Sequence, residues 1–210
     1  MKNYKVKEIF YSLAGEGFQV GRPAVFVRFS GCNLWSGREE DRAESRCNFC
    51  DTDINGVNGT LGGSYSAEAL VEKVRTFWAK TFKGRPYVVF TGGEPSLQLD
   101  DELLAHCKAM KWETGIETNG SRALPKGLDW VCVSPKGNVP LGVTKGDELK
   151  LVYPQAQAKP QDFENLDFKV FYLQPLWDRE QKYWKEAAEY CLQNPQWRLS
   201  LQTHKILGLP

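Results

Sequence analysis

The sequence predicts an α/β fold: a partial or modified TIM-type (β/α) barrel with about six core parallel strands and few crossover helices. Six short runs of apolar, often β-branched residues are nearly continuous rather than alternating, as is typical of parallel strands buried on both faces. Three longer segments have helical periodicity. Several connections between the runs are only marginally long enough for a crossover and are rich in Pro and Gly, which favours loops in place of helices.

The predicted core strands are spread over most of the chain. Each is a short apolar run bounded by turn-forming residues. The runs occupy residues 24–30, 87–91, 115–118, 130–134, 148–153 and 168–174, and a further run follows at 197–202.

Helices are predicted over 66–80, 100–110 and 179–194. The first has an apolar face behind Ser66, a candidate N-cap, and the last stops before Pro195. The connections 119–128, 135–147 and 154–167 are expected to be loops. Because no repeat or low-complexity tract interrupts the pattern, residues 1–210 are predicted to form a single domain.

Composition excludes several classes of function. The 27 basic residues nearly balance the 26 acidic ones, so there is no electrostatic footprint for nucleic-acid binding. No secretory signal begins the chain, and no apolar run approaches the roughly 20 residues that a membrane span needs. The expected setting is therefore cytoplasmic, where six cysteines are better interpreted as thiols or metal ligands than as disulfides.

Three of the cysteines, Cys32, Cys47 and Cys50, form the most informative motif. They have the spacing C-x14-C-x2-C, and no fourth cysteine lies nearby. Three thiolates can hold a four-iron cluster by three corners and leave one iron open, whereas an electron-transfer cluster uses four cysteines and structural zinc wants four ligands. A zinc knot or coincidental thiols are the alternatives. The charged insertion 34–46 within the cluster loop 31–52 is expected to be an exposed excursion that leaves the cluster geometry alone.

The other cysteines are expected to be structural. Cys107 and Cys191 lie on apolar helix faces and Cys132 lies within a strand, where free cysteine behaves as a small hydrophobe.

Polar and glycine-rich motifs follow most of the predicted strands. Gly92-Gly93-Glu94-Pro95 comes directly after the second run, where two glycines would let the backbone approach a ligand and a carboxylate would suit an ammonium group. A simple turn is the alternative interpretation. Since ligands gather at the carboxyl ends of parallel strands, we expect these motifs to surround one mouth.

The cysteine triplet, with Phe49 before its last cysteine, and the Gly-Gly-Glu-Pro strand end resemble the radical S-adenosylmethionine (SAM) superfamily. The long motifs 10–17, 21–34, 50–52 and 201–210 resemble the 7-carboxy-7-deazaguanine synthase family more narrowly. Ala14, where the family more often has glutamine, and the 14-residue spacing, where the superfamily usually has three, are departures.

The resemblance implies that 6-carboxy-5,6,7,8-tetrahydropterin is converted to 7-carboxy-7-deazaguanine, with ring contraction and loss of ammonia, on the route to queuosine and other deazapurines. A [4Fe–4S] cluster and SAM would generate a 5′-deoxyadenosyl radical that abstracts hydrogen from C6, SAM would be regenerated, and Mg²⁺ would assist. A flavodoxin or ferredoxin as electron donor and a homodimer are also implied.

The resemblance also implies site residues. The implied metal ligands are Cys32, Cys47 and Cys50 for the cluster and Thr52 for Mg²⁺. The implied SAM contacts are Phe49, Gly92, Gly93, Glu94, Glu117, Asn119, Ser134, Lys136 and Gln174. The implied substrate contacts are Leu13, Gly15, Glu16, Arg28, Thr91, His204 and Pro210, with the tail 203–210 closing the pocket.

Plainer interpretations stand beside these roles. Thr52 can simply cap a turn, Glu16 can be an exposed loop carboxylate, and the tail can simply pack on the core. Arg28 needs a partner if buried, and either a substrate carboxylate or an internal acid such as Glu16 would serve. Two other functions remain open: a glycyl-radical-enzyme activase, which would have an open mouth instead of a small closed pocket, and a non-catalytic metal-binding module.

Overall fold

A computed structural model describes residues 2–78, 83–178 and 180–210. Its centre is one nine-stranded sheet with the order β3-β1-β2-β4-β5-β6-β7-β8-β9. The strands are β1 (Tyr4–Leu13), β2 (Pro23–Phe29), β3 (Gly63–Tyr65), β4 (Tyr87–Gly92), β5 (Glu113–Thr118), β6 (Trp130–Val133), β7 (Lys145–Tyr153), β8 (Asp167–Pro175) and β9 (Trp197–Leu199).

The sheet is mostly parallel and does not close, so it is a partial barrel as the sequence predicts. Strands β2 and β4 to β9 run parallel to one another, while β1 and β3 add an antiparallel edge beside β2. The six predicted core strands and the final run all correspond to strands, with ends shifted by up to three residues. The sequence analysis misses β1 and β3.

Four helices are described: α1 (Ala67–Arg75), α2 (Asp101–Ala109), α3 (Trp184–Gln193) and α4 (Thr203–Leu207). Ser66 caps α1 as predicted, because its hydroxyl accepts a bond from the amide of Ala69. The first predicted helix is too long, since α1 ends at Arg75, and positions 79 and 80 lie outside the described residues. The third prediction starts too early, and position 179 is likewise outside the described residues.

The connections predicted as loops contain no α-helix in the structure: β5–β6, β6–β7 and β7–β8 are joined by turns, with only a short 3₁₀ turn at Pro160–Asp162. The first two helices pack on β1, β2 and β4, and α3 packs on β7 and β8. None of the helices described has the length and apolarity that a bilayer span needs.

Alternation along the strands separates the helix-covered core from a second face. In β2, Val25, Val27 and Phe29 are fully buried in the core, whereas Phe26 and Arg28 line a cavity. In β7, Leu149 and Leu151 pack in the core and Lys150 lines the same cavity. The period of two thus places charged side chains from separate strands on one concave face.

Candidate active site

A cavity of about 750 Å³ lies at the carboxyl ends of the parallel strands, a volume within the usual range for ligand sites. Its lining includes every residue that the resemblance implies for cluster, SAM, Mg²⁺ or substrate, with the exception of Glu94. The expectation that the strand-end motifs surround one mouth is therefore confirmed in the geometry, although the role of each side chain remains a prediction.

The three cysteines meet at this cavity as free thiols. The interaction between the neighbouring Cys47 and Cys50 thiols raises the pKa of Cys47 and lowers the pKa of Cys50. The amide of Leu34 lies 3.4 Å from the Cys32 sulfur and donates to it.

The charged insertion 34–46 contacts the cluster loop, and whether it leaves the cluster geometry alone stays a prediction. The 3₁₀ turn at Glu39–Glu44 is exposed, but the Arg42 guanidinium donates to the carbonyl oxygens of Asn48 and Cys50, at 3.0 and 2.9 Å. The sequence could not show this contact because it depends on how the excursion folds back.

The glycine pair after β4 brings two backbone segments together. A Cβ on Gly92 would lie 2.5 Å from the carbonyl oxygen of Phe29, and one on Gly93 would lie 2.1 Å from that of Gly31. Gly92 also has a φ of 151°, which favours glycine. Both glycines line the cavity, so they let the β4 end pack against the segment that carries Cys32 while exposing backbone to the site.

Glu94 occupies a different place from the one expected. Its side chain is completely buried and does not line the cavity. Its carboxylate accepts bonds from the Thr118 hydroxyl at 2.6 Å, the Asn119 amide at 2.8 Å and the Ser96 amide at 2.9 Å. In this structure Glu94 links the ends of β4 and β5, and a contact between its carboxylate and SAM remains a prediction.

Glu16 is not an exposed loop carboxylate but the centre of a buried polar group. It forms an ion pair with Lys150 of β7 and accepts a 2.6 Å bond from the Gln202 side-chain amide. Burial raises the pKa of Glu16, but the Lys150 ammonium and these hydrogen bonds outweigh it and bring the pKa to about 2. Glu117 lies 3.7 Å from the same ammonium, so Lys150 is shared between two carboxylates that line the cavity.

The partner of Arg28 is Glu8, not Glu16. The two residues are paired across β1 and β2, and the Arg28 Nε donates to the Glu8 carboxylate at 2.8 Å. The suggestion of Glu16 is wrong because β1, which supplies Glu8, is absent from the predicted strands. Both Arg28 and Glu8 line the cavity.

Polar side chains at the later strand ends are held by bonds among themselves. Lys136 donates to the hydroxyl and carbonyl oxygen of Ser134 at 2.5 and 3.1 Å, and its ammonium lies 6.0 Å from the centre of the Phe49 ring. Burial lowers the pKa of Lys136. At the end of β8, Gln174 accepts a 3.0 Å bond from Ser200. These side chains therefore have defined positions around the cavity.

The C-terminal segment lies over the loop that carries Glu16. The Thr203 amide donates to the Gly15 carbonyl oxygen at 2.8 Å, and a Cβ on Gly15 would lie 2.0 Å from the His204 ring. Burial lowers the pKa of His204. His204 and Pro210 line the cavity, but Leu207 and its neighbour Ile206 are exposed, so the apolar part of the tail does not pack on the core.

Thr52 lines the cavity two positions after Cys50. Its neighbour Asp51 forms an ion pair with Lys205 of α4, whose ammonium lies 4.8 Å from the centre of the Trp177 ring. The cysteine loop and the C-terminal helix are thereby connected beside the site.

Sequence reasoning missed other cavity residues, among them Lys150, Trp177, Gln202 and Lys205. Lys150 carried a usable signal, because it is the one basic residue within the apolar run 148–153, as Arg28 is within the run 24–30. Gln202 and Lys205 lie within the motif 201–210 but have no role assigned to them there, and Trp177 lies just after the run 168–174. Only the folded chain shows that these three side chains reach the site.

Comparison with known proteins agrees with this geometry. The model of the radical SAM superfamily matches residues 42–154. A 7-carboxy-7-deazaguanine synthase from Bradyrhizobium diazoefficiens is 55% identical over 209 residues, covering 99% of both chains, and one from Bordetella pertussis is 53% identical with the same coverage.

A solved structure supports the same relationship. The crystal structure of QueE from Escherichia coli has 25% identity and a TM-score of 0.69, and the alignment covers 95% of this chain and 94% of that one. Whole-length identity, a shared fold and a cavity built around three cysteines agree, and the chain belongs to the 7-carboxy-7-deazaguanine synthase family of the radical SAM superfamily.

Proposed function

We propose that this chain is a radical SAM lyase that converts 6-carboxy-5,6,7,8-tetrahydropterin to 7-carboxy-7-deazaguanine, with ring contraction and loss of ammonia, for queuosine and other 7-deazapurines. The observation that carries the proposal is a single cavity lined both by Cys32, Cys47 and Cys50 and by the buried pair of Glu16 and Lys150. It can therefore hold a reactive centre and a polar heterocycle together.

The residues present fit the cofactors of the family, a [4Fe–4S] cluster and SAM. The three cysteine thiols would hold the cluster and leave one iron for SAM. The glycine pair Gly92–Gly93 offers backbone to the SAM amino group, and other contacts are proposed from Phe49, Glu117, Asn119, Ser134, Lys136 and Gln174. When bound, the two cofactors supply the one-electron chemistry that removes hydrogen from C6 of the substrate.

Glu16 is suited to recognising the pterin. Its low pKa keeps it ionised at neutral pH, so its carboxylate can accept hydrogen bonds from the amino and ring N–H groups of the substrate. Arg28 has five N–H donors, and the bond to Glu8 uses one, which leaves others for the substrate carboxylate. Leu13, Gly15, Thr91, His204 and Pro210 are proposed to form the remaining walls.

Mg²⁺ is proposed to bind at Thr52. Its hydroxyl lines the cavity next to the cluster ligands, and Mg²⁺ takes few protein ligands and keeps several waters or substrate oxygens. A flavodoxin or ferredoxin as electron donor, a homodimer and a cytoplasmic setting are proposed on the family resemblance alone.

The two alternatives lack comparable support. Relatives that match this chain from end to end are named 7-carboxy-7-deazaguanine synthase, a small-molecule enzyme and not an activase of a protein partner. A non-catalytic metal-binding module would not account for relatives that match the whole chain and carry the name of an enzyme.

An anaerobic assay tests the proposal. Reconstituted protein with a chemical reductant, SAM and the carboxytetrahydropterin, with and without Mg²⁺, should form the deazaguanine over many turnovers while SAM is not consumed stoichiometrically. Glu16→Gln should weaken substrate binding, whereas Glu72→Gln, which removes only a surface pair with Arg75, should behave as the parent. Stoichiometric loss of SAM without deazaguanine would reject the assignment.

A further inference from the structure

The insertion 34–46 carries one side chain that contacts the cysteine loop. Arg42 lies in the exposed 3₁₀ turn, and its Nη1 donates to the carbonyl oxygens of Asn48 and Cys50 at 3.0 and 2.9 Å. Both carbonyl oxygens belong to the turn Cys47–Cys50. A guanidinium that bridges two carbonyl oxygens in one turn fixes the direction of the backbone on either side of Phe49.

Arg42 is itself held in position. Its guanidinium lies over the Trp35 ring, 4.3 Å from the centre, and Trp35 is only 7% exposed. The Trp35 indole N–H donates to the Arg38 carbonyl oxygen at 3.1 Å, and the Nε of Arg42 donates to the Glu39 carboxylate at 2.8 Å. These contacts hold the Arg42 side chain in one conformation. The bonds to the Asn48 and Cys50 carbonyl oxygens therefore cost little additional conformational entropy.

The base of the insertion is also joined to the cysteine set. The Arg46 amide donates to the Leu34 carbonyl oxygen at 3.2 Å, and the Leu34 amide donates to the Cys32 sulfur. The insertion therefore contacts the first cysteine through Leu34, and through Arg42 it contacts the turn that carries the other two.

We propose that Arg42 is a positioning residue for the iron–sulfur cluster: it fixes the turn Cys47–Cys50 in the ligand geometry and raises the reduction potential of the bound cluster. Reduction adds a negative charge to the cluster, and a neighbouring cation favours the more negative state. The inference deepens the proposed function and rests on its cluster, not on the identity of the substrate.

Glu39 accepts a bond from the Nε of the same guanidinium and opposes this effect. Its carboxylate is 78% exposed, so solvent screens its charge more than that of Arg42, which is 28% exposed. The net influence on the cluster is therefore that of a cation, and removing Glu39 should act in the opposite direction to removing Arg42.

The test uses reconstituted holoprotein without pterin. Iron and sulfide content and an EPR-monitored redox titration are compared for the parent, Arg42→Gln, Arg42→Lys, Glu39→Gln and the exposed control Arg38→Gln. Arg42→Gln should lower the equilibrium constant for cluster reduction at least about tenfold, which is about 59 mV for a one-electron couple. Arg42→Lys should recover part of the shift, since lysine keeps the charge but not the fork of donors.

Glu39→Gln should keep full cluster content and have an unchanged or higher potential, because the two carbonyl bonds remain, and Arg38→Gln should match the parent. An Arg42→Gln cluster with parental content and potential would overturn the proposal. If Arg42→Gln takes up no cluster, Glu39→Gln decides: a potential below that of the parent would overturn the proposal, because removing the carboxylate beside Arg42 should leave the potential unchanged or raise it. If the parent forms no deazaguanine, the proposed function is rejected. The reduction potentials of the cluster can still be measured and still test the role of Arg42.

Discussion

Lys150, buried in β7, forms an ion pair with Glu16, a residue 134 positions earlier in the loop after β1. The side chains are 5% and 17% exposed, and both line the cavity. Two charges at this depth are stable only together, because each would be desolvated without compensation if the other were removed. The same ion pair therefore fixes two side chains of the cavity and contributes to the stability of the fold.

Replacing Lys150 with Met should destabilise the protein by about 3–5 kcal/mol, the usual cost of removing one partner of a buried ion pair. Urea unfolding measures the loss. Lys145→Gln, an exposed change at the start of the same strand, should cost less than about 0.5 kcal/mol. Equal stability of the Lys150→Met variant and the parent would show that the two charges are not desolvated as the structure indicates.

Acid should reduce the difference between the parent and Lys150→Met. The pKa of Glu16 is lowered from 4.5 to about 2 by folding, so its ionised form stabilises the parent above pH 4.5, and this contribution is lost as the pH falls towards 2. In the variant, burial without the ammonium favours the protonated carboxyl, which acid supplies. Urea midpoints measured between about pH 5 and pH 2.5 should therefore converge. A gap that stays constant would mean that Glu16 does not titrate in this interval.

Glu94→Gln tests whether this residue acts in the fold or only on SAM. An amide would turn one acceptor oxygen into a donor facing Thr118, Asn119 or Ser96, and an unsatisfied buried group costs about 1–3 kcal/mol. The thermal midpoint should fall in the absence of SAM, whereas Glu102→Gln on the exposed face of α2 should leave it unchanged. A variant with parental stability and weaker SAM binding would favour the sequence-based interpretation of a SAM contact.

The core strands were predictable because they are continuous apolar runs, and the missing strand shows the limit of that signal. In β1 the side chain of Lys7 is buried and interrupts the apolar pattern. Its ammonium is satisfied by the carboxylate of Asp53, at 2.6 Å, and by the side chain of Asn58, at 2.7 Å. No local rule can show that a lysine will be paired by residues some 46 and 51 positions later.

The site was predictable to the extent that its residues form motifs at strand ends. Cys32 and the glycine pair follow apolar runs, and the topology brings them together. The pairing within the site was not predictable in the same way. The partner of Arg28 comes from the missed strand, and the Lys150 that holds Glu16 comes from the other half of the chain. Without β1, nothing in the sequence places Glu8 beside Arg28.

The C-terminal tail provides the last prediction. Pro210 lines the cavity, and the amide of Leu209 donates to the carbonyl oxygen of His204 at 2.8 Å, which joins the end of the chain to the residue that faces Gly15. Deleting Leu209 and Pro210 should raise the KM for the carboxytetrahydropterin about tenfold, the equivalent of one lost hydrogen bond. Steady-state kinetics under saturating SAM would measure the change.

Leu207→Ser is the matched control for this deletion. Leu207 lies in the same tail but is 64% exposed, so its substitution should leave the KM for the pterin unchanged. An activase acting on a protein partner would not need a covered pocket and would tolerate the deletion. If the shortened chain has the parental KM, the tail is not part of the substrate site, and Pro210 lies at the cavity edge without contacting the pterin.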